Sequence, residues 1–97
     1  MAGKREVYEN KFNAQLTEWS AQIALLNAKA ANAKADASID YQEAIASLQA
    51  KRDAAAAKYH ELTAASDDAW DDVKNGAERA WNDVKSAYHD AVSKFKN

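Results

Sequence analysis

From Leu16 to Ala69, and again from Trp70 to Phe95, the apolar side chains of this sequence recur three or four positions apart. That spacing holds a stripe on one face of an α-helix, whereas a strand needs a spacing of two. Arg52 and Ser66 are polar intrusions in the first of these stretches. The 97 residues contain no Pro and only two Gly, Gly3 and Gly76. Without residues that lock or free the backbone at turns, the chain has few places to reverse. Ala, Glu, Lys, Gln and Leu fill much of the remainder, and these are good helix formers. The fold class expected is all-α: long antiparallel helices of coiled-coil or three-helix-bundle type.

The last third repeats every eleven residues. "AWDDVKNGAER" (69–79) is followed by "AWNDVKSAYHD" (80–90), and a third block begins at Ala91. Trp70, Trp81 and Val92 align, as do Val73, Val84 and Phe95, and Lys74, Lys85 and Lys96. Eleven residues make three turns at about 3.67 residues per turn, close to the natural helix period. The series Trp70, Val73, Ala77, Trp81, Val84, Tyr88, Val92, Phe95 therefore stays within an arc of roughly 100°. The repeat predicts one straight helix over about 68–96.

The first two thirds use a heptad-like period. Leu16, Trp19, Ile23, Leu26, Ala30, Ala33 and Ala37 alternate steps of three and four. Ala37, Tyr41 and Ile45 step by four and four, a stutter. The seam then resumes through Leu48, Arg52, Ala55, Tyr59, Leu62, Ser66 and Ala69. At Arg52 the stem is expected along the seam and the head in water.

Ser66-Asp67-Asp68 is the best break, because Ser and Asp suit helix N-caps and acids suit a first turn. Asp36-Ala37-Ser38 is a weaker one, near residue 37. A turn near 67 places Trp70 opposite Ala64 and Trp81 opposite Asp53-Ala54. A turn or two-fold axis near 37 places Phe12 by Leu62, Trp19 by Ala55 and Leu26 by Leu48. Large side chains then meet small ones, as a close-packed core requires. Two structures satisfy these pairings: a three-helix monomer, and a swapped dimer. In the dimer residues 4–65 form one helix of roughly 90 Å at about 1.5 Å per residue. Because residues 36–38 hold no helix breaker, the expectation is the swapped homo-oligomer, a dimer or larger, with filaments open to it if the exchange does not close. Residues 1–97 form a single helical domain on this reading.

Thirteen basic and fifteen acidic residues give a net charge of −2 and no basic stripe, so nucleic acid is not an expected partner. The longest apolar run, Ile23-Ala24-Leu25-Leu26, is too short to span a bilayer. No apolar segment follows the N-terminal Lys4-Arg5, which makes the cytoplasm the default. The chain has no Cys. The Glu-x-x-His spacing of di-iron bundles fails, since residues 57 and 86 are Ala and Ser, and His60 and His89 fall beside the seams. Asp67, Asp68, Asp71 and Asp72 read as a solvated helix face. No Gly-rich phosphate loop or activated nucleophile is present. No catalytic residue, cofactor or metal ligand is expected. The residues expected to matter are those of the core and interface: Phe12, Leu16, Trp19, Ile23, Leu26, Leu48, Leu62, Trp70, Val73, Trp81, Val84, Tyr88 and Phe95. The second expectation is a peripheral lipid or granule surface, met by the Trp70–Phe95 stripe with its flanking lysines, although a surface helix is ordinarily more basic.

"KREVYENKFNAQLTEWSAQIALL" (4–26), "YQEAIASLQAKRDAAAAKYHEL" (41–62) and "AWDDVKNGAERAWNDVKSAYHDAVSKFK" (69–96) together resemble a group of small bacterial coiled-coil domain proteins, some labelled stress-response proteins. The resemblance implies an all-helical, non-enzymatic protein with a stress association.

Overall fold

The structure is a computed structural model and describes residues 3–95. It contains three helices: α1 (Lys4–Ala31), α2 (Ala35–Ala64) and α3 (Asp67–Phe95). They run up, down and up, so α1 and α3 are parallel and α2 is antiparallel to both. The bundle measures 51 × 21 × 17 Å. Helices of 28 to 30 residues are about 42–45 Å long, so each runs nearly its whole length.

The buried stripes follow the seams read from the sequence, though not every seam position is buried. Phe12, Leu16, Trp19, Ile23, Leu26 and Ala30 are buried on α1, and Ile45, Leu48, Ala55 and Leu62 on α2. On α3 the buried residues include Trp70, Ala77, Ala80, Val84 and Ala91. Phe12, Leu48, Leu62 and Val84 are the largest side chains fully withdrawn from water, each worth about 1.5–3 kcal/mol. Val73, Trp81 and Tyr88 are only half-buried, because the stripe of α3 turns its alanines inward and carries these three toward its edge. The side chain of Phe95 lies outside the described residues.

The break between α2 and α3 falls where Ser66 places it. Ser66 Oγ accepts a hydrogen bond from the Ala69 N–H at 3.3 Å, the N-cap geometry. Asp67 and Asp68 occupy the first turn of α3, where carboxylates meet the positive end of the helix dipole. Ser66 is thus an exposed cap, and Ala69 is exposed as well. Neither continues the seam.

The other break falls earlier than the sequence suggests. The single chain takes the three-helix form, and it turns at residues 32–34 instead of near 37. Asn32 and Ala33 close α1 with short hydrogen bonds from their N–H groups to the carbonyls of Lys29 and Ala30, both at 3.2 Å. The Asn32 side chain donates to the Ala28 carbonyl at 3.2 Å. Lys34 is extended, with φ −64° and ψ 152°, and starts α2. Asp36 sits in the first turn of α2, so Asp36-Ala37-Ser38 marks the beginning of that helix from inside it. With the turn earlier in the chain, Phe12 stacks on Tyr59, their centroids 6.0 Å apart, one turn from the Leu62 expected.

The spacing of the three helices is unequal. Among the described residues no Cα of α1 comes within 8 Å of a Cα of α3, whereas α2 approaches both at that distance. The alanines explain this. Ala44, Ala55 and Ala56 on α2 and Ala77, Ala80, Ala87 and Ala91 on α3 join the core and admit close backbones. Between α1 and α3 stand Phe12, Trp19 and Trp81.

Candidate functional site

The aromatic residues form a ladder along the α1/α3 face. Tyr8 meets the edge of Trp70 with ring centroids 5.8 Å apart and planes at 86°. Deeper in, Trp81 stands edge-on to Phe12 at 5.0 Å and to Trp19 at 5.3 Å. These offset and T-shaped arrangements suit the charge distribution of the rings. Ala55, the residue expected beside Trp19, is fully buried. Farther along, the Tyr88 hydroxyl and the Gln22 side-chain oxygen are 3.2 Å apart, the hydroxyl donating. Where the ladder holds α1 and α3 apart, a groove of about 340 Å³ opens between Tyr8, Lys11, Glu78, Trp81 and Asn82.

At the outer end the ladder meets a polar clamp. Arg5 is in the first turns of α1, beside the α2–α3 turn. Its Nη2 donates to the carbonyl oxygens of Ala65 at 2.7 Å and of Leu62 and Thr63 at 3.3 Å. Its Nη1 reaches Asp67 Oδ1 at 3.0 Å, and its Nε reaches Glu9 Oε2 at 2.9 Å. Glu9 Oε2 also accepts the Trp70 indole N–H at 3.2 Å. One guanidinium thus caps the last carbonyls of α2, where a cation also suits the helix dipole, and ties all three helices together. The Asp67 pair adds little, because that side chain is 96% exposed. Lys74 Nζ lies 5.1 Å from the Tyr8 ring centre and 5.8 Å from that of Trp70, within cation–π range.

Tyr8 completes the cluster. Its hydroxyl is buried and has no hydrogen-bond partner among the described residues. Burial, and then the nearby Glu78 carboxylate, push its pKa from 10.0 up to about 12, since both disfavour the phenolate.

Arg5, Tyr8 and Glu9 were not singled out from the sequence. The signal was available: counting back from Phe12 by four and then three reaches Tyr8 and Arg5, on the same helical face.

A larger open groove, of about 650 Å³, lies between α2 and α3 at the other end, bordered by Glu43, Ser47, Lys51, Asp83, Ser86 and Asp90. His60 and His89 are exposed, as are Asp67, Asp68, Asp71 and Asp72. Among the described residues no three His, Asp or Glu side chains are placed to hold a metal ion. Among them, too, no helix is long and apolar enough to cross a membrane. Arg52 lies along the seam with its Nη1 3.3 Å from Ser20 Oγ and its Nη2 2.7 Å from Asp53.

Comparison with family models, with curated proteins and with solved structures gave no match to this chain.

Proposed function

We propose that this chain is a non-enzymatic structural or interaction protein that self-associates through its coiled-coil seams, in the cytoplasm and, by its resemblance, in connection with stress. The supporting observation is the phase of the first seam. At about 100° per residue, every seam position from Leu16 to Leu62 stays within an arc of about 120°. That includes Ala30, Ala33 and Ala37, which flank or lie in the α1–α2 turn. The stutter from Ala37 to Ile45 resets the lag that heptad spacing accumulates. Two helices joined by a turn need no common phase, because each rotates independently to face the core. A shared phase across the turn is what a continuous helix in a larger assembly needs.

Light scattering on a sizing column, across a concentration series, tests the reading. A molar mass at or above twice the 10.6 kDa of the chain supports it. A value of one chain at every concentration refutes self-association. A lipid or granule surface is the competing role, and it would require α3 to leave the bundle, since Trp70, Ala77 and Val84 are buried. Co-flotation with anionic liposomes would favour that role.

A further inference from the structure

We infer that two copies of this chain exchange α1 by straightening the α1–α2 turn at Lys34, forming a swapped dimer. The inference rests on the self-association proposed above and specifies its mode.

The turn is close to helical already. Asn32, at φ −95° and ψ −2°, remains in the right-handed region. No described residue of the chain has a positive φ, apart from or including glycine, so no left-handed residue anchors the reversal. Lys34 departs from it, with a φ of −64° that is helical and a ψ of 152° that is not. Rotation about that ψ, with adjustment at residues 32 and 33, lets α1 run into α2. The intervening sequence Ala31-Asn32-Ala33-Lys34-Ala35 contains no Gly or Pro to resist it.

The contacts of α1 survive the exchange. In the closed chain Arg5 reaches the Leu62 carbonyl, Phe12 stacks on Tyr59, and Ser20 meets Arg52. Each pair is centred, along the sequence, between residues 33 and 36. Two straight helices crossing antiparallel at that point bring the same residues together, now from different chains. Trp81 receives Phe12 and Trp19 of the other copy, and the Arg5 clamp closes on the other copy's α2–α3 turn. The closed and exchanged forms therefore differ mainly at the turn, which is the condition for domain exchange between identical chains.

Ala35→Pro separates the two forms. Ala35 is the first residue of α2, a position that favours Pro, because its N–H has no acceptor within the helix. The preceding Lys34 already holds the extended ψ that a residue before Pro prefers. The closed turn therefore accepts the substitution. A continuous helix does not, because Pro inside it removes a hydrogen bond and clashes with the preceding turn. Two prolines per dimer lower the association constant by roughly 10⁴-fold. The expected result is a wild-type dimer and an Ala35→Pro monomer with unchanged helicity by circular dichroism and an equal or higher melting temperature. Asn32→Ala with Lys34→Ala should shift the balance toward dimer. A wild-type dimer matched by an equally dimeric Ala35→Pro variant overturns the exchange and leaves self-association by another face. A monomeric wild type overturns both.

Discussion

Truncation of Trp81 to Ala measures what holds α1 against α3. The two backbones stay apart along their whole contact, so the interface consists of side chains, and Trp81 is its central wedge. It makes edge-on contacts with both Phe12 and Trp19, at 5.0 and 5.3 Å. Trp→Ala in a core costs about 3–5 kcal/mol through lost burial and the space left behind. Trp81 is half-buried, which puts the expected loss near the lower end, about 3 kcal/mol. A domain of this size gives up about 4–8 °C for each kcal/mol, so the melting temperature should fall by roughly 12–24 °C. Thermal unfolding followed by circular dichroism at several protein concentrations reads this directly. Trp81→Phe keeps one ring between Phe12 and Trp19 and should lose clearly less. A fall below about 4 °C for Trp81→Ala, equivalent to less than about 1 kcal/mol, would refute the wedge.

Gly76 lies inside α3, and a methyl there meets only the end of the Lys58 side chain at 3.9 Å; Gly76→Ala should therefore stabilise by about 0.5–1 kcal/mol, seen as a higher urea midpoint with unchanged slope. Arg5→Ala leaves the terminal carbonyls of α2 without their donor and should cost about 1–2 kcal/mol given partial exposure. Arg5→Lys should recover little of it, because an ammonium cannot reproduce the fork; hydrogen exchange would show faster exchange in the first turns of α1. The Tyr8 phenol holds its proton more tightly in the folded chain, so its contribution is complete below pH 10 and is lost as pH rises from 10 to about 12. Urea midpoints across that range should fall less steeply in Tyr8→Phe than in the wild type. The same variant should be no less stable at neutral pH, since the hydroxyl it removes has no partner among the described residues.

The helical faces were legible because helix period and burial are one constraint. Phe12, Leu16, Trp19, Ile23 and Leu26 are all buried, and the eleven-residue repeat did mark a single straight helix. The Ser66 turn was legible too, because a cap is a local device: a side-chain oxygen, a following acid and a free N–H lie within four residues. Exact burial within the stripe was less so. Trp81 and Tyr88 recur at the repeat's period, yet the close approach of α2 rotates α3 toward its alanines. Which residue of a stripe lies deepest depends on the neighbouring helix's side-chain sizes, and no single helix carries that information.

The clamp and the first turn escaped for opposite reasons. Arg5 finds its partners at the far end of α2, across most of two helices, and its role exists only once the hairpin has closed. The turn at residues 32–34 escaped because nothing in Asn32-Ala33-Lys34 opposes a helix. The Lys34 backbone departs clearly from one, and backbone dihedrals of ordinary residues leave no mark on a sequence. Ser66 uses a side chain to start a helix, and its position is therefore written. At residues 32–34 the side-chain bond from Asn32 to the Ala28 carbonyl spans four residues and fits a continuing helix as well, so tertiary contacts must select the bend. The contacts that do so, from the Arg5 clamp to the stacking of Phe12 on Tyr59, are equally available from a second chain. A turn that cannot be read locally is thus also one that local forces do not enforce. The Ala35→Pro substitution supplies that missing local enforcement.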